Sequence, residues 1–217
     1  MHSNTEENYL KAIYKLGLHS LSGVSTNDIA AEVKTKAASV TDMLKRLASK
    51  KLISYKKYQG VKLTGQGKKI ALLVIRKHRL WEFFLVNTLK FKWDEVHEIA
   101  EQLEHIQSQE LINRVDDFLG RPKSDPHGDA IPDRNGKIPE AKSLALSKVT
   151  KGNYLIHGVL EHSQKFLRYL EKLKLLPGQK IKLTEINEYD GSVLIVHAGK
   201  KIFMGTEAAN KILVTNY

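Results

Sequence analysis

Residues 93–106, WDEVHEIAEQLEHI, combine histidines and carboxylates at spacings that suit a divalent metal ion. If the segment is one helix, the positions i, i+4, i+7 and i+8 fall on one stripe, and these are His97, Glu101, Glu104 and His105. Such an ion requires imidazole nitrogens and carboxylate oxygens that converge within about 2.0–2.6 Å. The stripe therefore predicts one half of a metal site.

The preceding helical segment, residues 76–86 (RKHRLWEFFLV), offers the other half. His78 and Glu82 lie one turn apart, and apolar residues such as Trp81 and Leu85 flank them, so this edge should face packed protein. A buried carboxylate is costly unless it is paired or coordinated. We therefore expect His78 and Glu82 to contribute to the same metal region.

Composition limits the classes of protein to which the chain can belong. It has 217 residues and no cysteine, which excludes disulfides and thiolate metal ligands. The first ten residues lack the basic and apolar pattern of a signal peptide, and no stretch approaches the roughly 18 apolar residues of a membrane span. The sequence therefore predicts a soluble, cytoplasmic protein with no membrane partner.

The formal charge is +11, and it is unevenly distributed. Lys and Arg outnumber Asp and Glu by 11 to 5 in residues 1–64 and by 16 to 10 in residues 121–217, whereas residues 65–120 hold 8 against 9. A basic first third is typical of a protein that binds nucleic acid. The carboxylate-rich middle is the candidate metal region.

Apolar periodicity predicts the elements that position these residues. A helix over residues 5–17 is followed by a short helix capped by Ser25 and, after a turn at residues 34–36, by a longer helix over residues 37–52. Two β-type runs around Gln59 and Gly60 then form a hairpin, which completes a winged helix-turn-helix. Further helices are expected from residue 67 to about 89 and from 94 to about 119.

The last part of the chain differs in character. Residues 120–140 hold four of the five prolines and show neither the apolar periodicity of a helix nor that of a strand, so we expect a long loop. A helix over residues 163–176 precedes four β-type runs, with a hairpin turn at Asp190 and Gly191. These elements predict a small barrel-like domain with one helix.

Together these motifs resemble the metal-dependent transcriptional repressors typified by the diphtheria toxin repressor and the manganese transport regulator. The resemblance rests on TEENYLKAIY, SVTDMLKRL, LTGQGKK, RKHRLWEFFLV, WDEVHEIAEQLEHI and DPHGDAIP, which follow one another between residues 5 and 133. It implies a mainly α fold with a small β part: a winged-helix DNA-binding domain at residues 1–66, a helical dimerisation and metal-binding domain with a Pro-rich loop at residues 67–141, and an SH3-like C-terminal β-barrel at residues 142–217. It also implies a metal-loaded homodimer that binds double-stranded operator DNA and controls metal-uptake genes.

The resemblance also implies metal ligands in this chain. One site would use His78, Glu82 and His97, and a neighbouring one would use Glu101, Glu104 and His105 with help from Asn8 on the first helix. Some members build a site from the position of Glu82, the DPHG loop and the third domain, which here means Glu82, Asp125, His127 and the third-domain candidate His162. In an extended backbone Asp125 and His127 would point to the same side, and Pro126 favours that geometry.

Departures from the family indicate which metal is bound. Iron-responsive members carry methionine on the first helix and cysteine at the position of Glu101, and manganese-responsive members carry acidic residues where this chain has Asn8 and Lys11. Glu101 is a hard oxygen donor, which favours Mn(II) over Fe(II), with other divalent transition metals as substitutes in vitro. Asn8 weakens the site that needs its carboxylate, and a protonated Lys11 cannot coordinate.

The basic winged helix carries the candidate DNA contacts. Phosphate contacts are expected from the cations Lys45, Arg46, Lys50, Lys51, Lys56, Lys57 and Lys62, and wing contacts from Tyr58 and Gln59. Bases would be read from the start of the second helix of the motif, through Lys36, Ala37, Ser39, Thr41 and Asp42.

Three other functions stay open at the level of sequence. An iron(II)-responsive repressor differs only in its metal. A metallohydrolase is suggested by HEIAE, which begins like the zinc motif H-E-x-x-H, but Glu101 stands where that motif needs its second histidine, so we expect no enzyme activity. An architectural DNA-binding protein would use the carboxylates only in salt bridges, and metal-dependent operator binding distinguishes it from a repressor.

Overall fold

A computed structural model of the chain describes residues 2–18, 20, 23–56, 60–139 and 142–217. It comprises two compact units. The first contains residues up to 78 together with Glu101–Arg114 and Pro132–Ile138. The second contains Arg79–Ala100, Val115–Ile131 and the chain from residue 139 onward. None of the helices in the described ranges is long and apolar enough to cross a membrane.

The predicted winged helix lies in the first unit. Its elements are α1 (Asn4–Gly17), α2 (Thr26–Glu32), α3 (Ala37–Ser49), β1 (Ile53–Lys56) and β2 (Gly60–Leu63). Ser25 caps α2 as expected, and β1 pairs antiparallel with β2. α3 ends three residues before the predicted end, because Lys51 adopts a left-handed φ of 58°. The turn of the predicted hairpin, at residues 57–59, lies outside the described residues.

Apolar side chains of these elements form one core. Val40, Leu44 and Leu47 place the buried stripe of α3 against Leu10 of α1 and Ile29 of α2, and all five are fully buried. Burial of such a side chain stabilises the fold by roughly 1.5–3 kcal/mol. The opposite face of α3 is therefore left to solvent.

Three helices follow the wing, namely α4 (Gly65–Asn87), α5 (His97–Leu103) and α6 (Gln109–Phe118). The prediction of one continuous helix over residues 94–119 is wrong. Ser108 begins a new helix, since its backbone oxygen accepts from the N–H of Ile112 and its hydroxyl accepts from the N–H of Leu111. Glu104 and His105 follow the end of α5, so they do not continue the stripe begun by His97 and Glu101.

The C-terminal part of the second unit is a six-stranded antiparallel sheet with two α-helices, whereas one helix was predicted. Its elements are β3 (Leu144–Ala145), a 3-10 turn (Leu146–Lys148), β4 (Gly152–Val159), α7 (Gln164–Leu173), β5 (Lys180–Ile186), β6 (Val193–His197), β7 (Lys200–Met204), α8 (Thr206–Asn210) and β8 (Ile212–Asn216). The strand order is β3-β8-β4-β5-β6-β7, and no pairing joins β3 to β7 in the described part of the chain.

Two strands were not predicted, the two-residue β3 and the longer β4. β4 lies in the middle of this sheet between β8 and β5. Its register with β8 shifts between Ile156 and Gly158, so a bulge interrupts the alternation of buried and exposed side chains on which strand prediction depends. The four predicted β-type runs correspond to β5–β8, and the predicted turn between β5 and β6 contains Gly191 at φ 67°.

Candidate functional site

Glu82, Asp125 and His127 form a buried cluster in the second unit. Each offers one potential ligand atom, and these atoms lie within 4.8 Å of one another. α4 supplies Glu82, whereas Asp125 and His127 lie in the loop after α6. All three side chains are buried. This group contains three of the residues that the sequence singled out.

The imidazole of His127 is held in one orientation. Its Nε2–H donates to the backbone oxygen of Trp93 at 2.8 Å, and its ring stacks on the rings of Trp93 and His162 at centroid distances of 5.8 and 4.7 Å. Nδ1 is left for another partner. It is buried, has no hydrogen-bond partner among the described residues, and lies 3.5 Å from Oε2 of Glu82. A histidine whose second nitrogen is held by a backbone carbonyl is the usual metal-ligand arrangement.

The two oxygens of Asp125 have different surroundings. Oδ1 accepts the backbone N–H groups of His127 at 2.8 Å and Asp129 at 2.9 Å, which shapes the loop. Oδ2 is buried and has no hydrogen-bond partner within the described ranges; Nε of Arg79 lies 3.7 Å away. Oδ2 is therefore the oxygen available to a ligand.

Two glycines bring the loop onto β4. A Cβ atom on Gly128, which has a φ of 91°, would lie 2.2 Å from the backbone oxygen of His157. A Cβ atom on Gly158 would lie 2.5 Å from the backbone oxygen of His127. That same oxygen accepts the N–H of Val159 at 2.9 Å. The backbone next to His127 is thus packed directly on the strand.

The electrostatics of the cluster reflect its burial and its crowded carboxylates. Burial raises the pKa of Asp125 to about 8, and repulsion from Glu82 and Asp129 adds to the effect. Burial alone would lower the pKa of His127, but the carboxylates of Glu82 and Asp125 outweigh it and raise that pKa to about 9. Burial and the neighbouring His127 lower the pKa of His162. Unpartnered ligand atoms among crowded carboxylates fit a divalent ion with nitrogen and oxygen donors.

His97 approaches the same carboxylate. Its Nδ1 lies 3.3 Å from Oε1 of Glu82, and the side chain is partly exposed. His78 lies one turn before Glu82 on α4. Of the predicted set His78, Glu82 and His97, the last two are thus in contact, and the first shares the helix of Glu82. The buried Nε2 of His162 has no hydrogen-bond partner among the described residues and lies 4.0 Å from Oδ2 of Asp129.

Glu104 lies in the first unit and is engaged by basic side chains. Nζ of Lys11 lies 2.5 Å from its Oε1, and Nδ1 of His78 lies 2.6 Å from its Oε2. The same ammonium group is 3.6 Å from Oε1 of Glu101. Burial would raise the pKa of Glu104, but the hydrogen bond from His78 and the charge of Lys11 outweigh it and hold that pKa below its ordinary value.

His105 has a partner that sequence analysis missed. Its Nδ1 lies 2.7 Å from Oε2 of Glu7, and Nζ of Lys77 lies 3.7 Å from the same oxygen. Glu7 is buried, whereas its neighbour Asn8, the predicted contributor from the first helix, is exposed. Among the described residues, the donor groups close enough together to hold an ion do not include Glu101, Glu104 or His105.

The predicted base-reading face of α3 is open to solvent. The exposed residues of this face are Lys36, Ala37, Ser39 and Asp42, and the phosphate candidates Lys45, Lys51 and Lys62 are exposed as well. Thr41 is half-buried, and its hydroxyl donates to the backbone oxygen of Ala37 at 3.1 Å. The described part of the structure does not include the side chain of Lys56 or residues Lys57, Tyr58 and Gln59.

Two of the predicted DNA-binding cations are paired with Glu6. Nε of Arg46 and Nζ of Lys50 lie 2.8 and 2.7 Å from Oε1 of this carboxylate, which is fully buried. Burial would raise the pKa of Glu6, but Lys50, the backbone N–H of Ser3 and Arg46 outweigh it and lower that pKa. Glu6 thus holds α3 on α1, a role that sequence analysis did not assign.

Three family models match successive parts of the chain. They are the N-terminal DNA-binding domain of iron-dependent repressors over residues 1–61, the metal-binding and dimerisation domain of iron-dependent repressors over residues 64–133, and the FeoA domain over residues 145–216.

Whole-chain relatives agree with these matches. The solved structure of a manganese-dependent transcriptional repressor in complex with manganese is 31% identical with a TM-score of 0.86, over 98% of this chain and 100% of that chain. The manganese regulator SloR is 34% identical with a TM-score of 0.76, over 100% of both chains. The iron-dependent repressor IdeR of Mycobacterium leprae is 25% identical over 224 residues, which are 97% of this chain and 96% of that protein.

Proposed function

Because the chain belongs to the metal-dependent transcriptional repressors, the family of the iron-dependent and manganese-dependent repressors, we propose that it is a cytoplasmic repressor. It would bind operator DNA as a metal-loaded homodimer and control metal-uptake genes. Members of this family are transcriptional repressors and not enzymes. One observation carries the proposal for this chain: Asp125 Oδ2 and His127 Nδ1 are buried beside Glu82 and lack hydrogen-bond partners among the described residues.

We propose that Glu82, Asp125 and His127 hold the metal, with His162 as a fourth ligand. His97, and His78 one helical turn before Glu82, would form the neighbouring site that shares this carboxylate. The donors are all nitrogen and oxygen, which favours Mn(II). An iron(II)-responsive repressor is the alternative, since iron-dependent repressors are among the relatives.

The proposed mechanism is a shift between two populations. When bound, the ion supplies the positive charge that allows Glu82 and Asp125 to ionise side by side. Without the ion, ionisation of both groups is unfavourable, so the conformers that separate them become more populated as the pH rises toward 8. The conformers in which side chains of α4 and of the 120–139 loop lie close together belong to the DNA-binding population.

DNA recognition would fall to two copies of α3 in the homodimer. They would enter successive major grooves about 34 Å apart. The residues proposed to face bases are Lys36, Ala37, Ser39, Thr41 and Asp42, and those proposed to face phosphates are Lys45, Lys51, Lys62 and the wing residues 56–59. We propose domain limits at residues 1–66, 67–141 and 142–217.

The test is DNA binding to a duplex from the protein's own upstream region. Fluorescence anisotropy with Mn(II), with anaerobic Fe(II), with Zn(II) and with a chelator should show operator binding in Mn(II) at least as tight as in Fe(II), and none with the chelator. Operator binding that persists in the presence of the chelator would instead support an architectural DNA-binding protein. Binding only with Fe(II) would support the iron-responsive alternative.

A further inference from the structure

The Lys11–Glu104 contact is a buried pair of opposite charges. The side chain of Lys11 is 9% exposed and that of Glu104 is fully buried, and Nζ lies 2.5 Å from Oε1. A charge buried to this degree needs a counter-charge, and here the chain itself supplies it. The ammonium group also faces Glu101 at 3.6 Å, so it stands between two of the three residues predicted to bind a metal.

Two further ligand atoms of this group are also engaged. The second oxygen of Glu104 accepts from His78 at 2.6 Å. Nδ1 of His105 is 2.7 Å from Glu7. The buried side-chain atoms without hydrogen-bond partners in the described chain include Asp125 Oδ2 and His127 Nδ1 of the other cluster, and they include no atom of Glu7, Glu104 or His105.

The position of the ammonium groups among these carboxylates also disfavours a divalent ion. Three carboxylates, those of Glu7, Glu101 and Glu104, face two ammonium groups, since Lys77 lies 3.7 Å from Glu7. An ion placed among these carboxylates would lie next to the Lys11 ammonium and be repelled by it at short range. Coordination would require this lysine to leave or to lose its proton.

We propose that Lys11 is a built-in cation that takes the place of a metal ion among Glu101, Glu104 and His105. This group then binds no divalent metal, and it ties α1 to the segment Glu101–Arg114 whether or not metal is present. Both parts lie in the compact first unit. The counter-charge there is a side chain of the protein and not a bound ion. Metal sensing is left to the Glu82 cluster. The inference rests on the proposed function only for the choice of Mn(II) as the probe.

The test counts Mn(II) ions per chain by equilibrium dialysis and elemental analysis. Glu101→Gln, at a side chain that is 51% exposed, should leave the wild-type count unchanged. Lys11→Glu replaces the ammonium with a carboxylate and should bind one additional Mn(II) per chain. Lys15→Glu makes the same charge change one turn later on α1, at an exposed position, and should gain none.

Two results would overturn the inference: loss of one Mn(II) from the wild type on Glu101→Gln, or no gain in Lys11→Glu. If circular dichroism shows that Lys11→Glu is unfolded, bound Mn(II) is counted in Lys11→Met in its place. Lys11→Met keeps an apolar stem and removes the charge, and it too should gain one Mn(II) per chain. A wild type that binds no Mn(II) would contradict the proposed function, and the gain in the Lys11 variant would still decide the inference.

Discussion

At the scale of single residues, the two oxygens of Asp125 divide a structural role from the proposed ligand role. Oδ1 holds the loop through two backbone N–H groups, and Oδ2 lies near Arg79 and has no hydrogen-bond partner among the described residues. The two ring nitrogens of His127 differ in the same way, because Nε2 donates to the backbone oxygen of Trp93 and Nδ1 faces Glu82. Substitutions can therefore separate the folding of the loop from its affinity for metal.

The double change Asp125→Ala and His127→Ala should remove one bound Mn(II) per chain and weaken metal-dependent operator binding by more than about 100-fold, because two ligands are lost where loss of a supporting contact already costs about 10–100-fold. Calorimetry and anisotropy measure the two effects. Glu188→Ala with His197→Ala also removes one carboxylate and one imidazole in the second unit and is the control. Unchanged stoichiometry and unchanged operator affinity would contradict the assignment.

The single change Asp125→Asn should affect stability and metal binding in opposite directions. The amide oxygen can still accept the loop N–H groups, but the charge is gone. The pKa of Asp125 is about 8 in the fold against an ordinary 3.8, so the protonated form stabilises the wild type at low pH and this contribution is lost as the pH rises toward 8 and above.

Melting curves in chelator test this expectation. The melting temperature of Asp125→Asn relative to the wild type should rise between pH 6 and pH 9, while its affinity for Mn(II) falls. A difference in melting temperature that does not depend on pH would argue against an ionisable, crowded Asp125.

Local spacing singled out His78 and Glu82, and the family resemblance added Asp125 and His127, but neither identified the partners of the Glu104 and His105 group. His78 and Glu82 are one helical turn apart and Asp125 and His127 are two residues apart, so each pair can be found within a short segment. The partner of His105 is Glu7, 98 residues away along the chain, and the pairing of Lys11 with Glu104 spans 93. Contacts of this range depend on how elements pack, which periodicity does not specify.

At the scale of elements, the fold follows the sequence where signals are local and departs from it where they are not. Apolar stripes and the Ser25 cap predicted α1–α3 correctly, apart from the end of α3. The division of residues 94–119 into α5 and α6 was missed because the apolar period continues across Ser108. The loop of Asp125 and His127 was predicted as a loop, but its close contact with β4 could not be.

The contact between the loop and β4 makes Gly158 a test of how the strand positions the site. Gly158→Ala places a Cβ atom 2.5 Å from the His127 backbone oxygen, so backbone must move. We expect a loss of stability of about 1–3 kcal/mol and weaker Mn(II) binding, because His127 shifts. Gly205→Ala, where a Cβ meets nothing within 4 Å, is the control in melting and binding assays. Wild-type Mn(II) affinity in Gly158→Ala would show that this packing does not position the ligand.

At the scale of the whole molecule, we expect a homodimer formed through residues 65–120. α6 exposes Leu111 and Phe118, which are 40% and 71% accessible and lie two turns apart on one face. Leu111→Ser with Phe118→Ser should convert the dimer to monomers in sedimentation at micromolar concentration. Leu144→Ser with Phe203→Ser, at other exposed apolar positions, should not. A monomeric wild type, with and without metal, would refute this expectation.

The pairing of Arg46 and Lys50 with Glu6 has a consequence for the way DNA binding responds to ionic strength. Each phosphate neutralised by a protein cation adds about 0.9 to the slope of log affinity against log salt concentration. As long as these two cations stay on a buried carboxylate of their own protomer, they neutralise no phosphate. The slope should therefore be shallower, by about 1.8 per protomer, than the count of basic residues on the winged helix suggests. Operator binding by this basic surface would then tolerate salt better than its formal charge indicates.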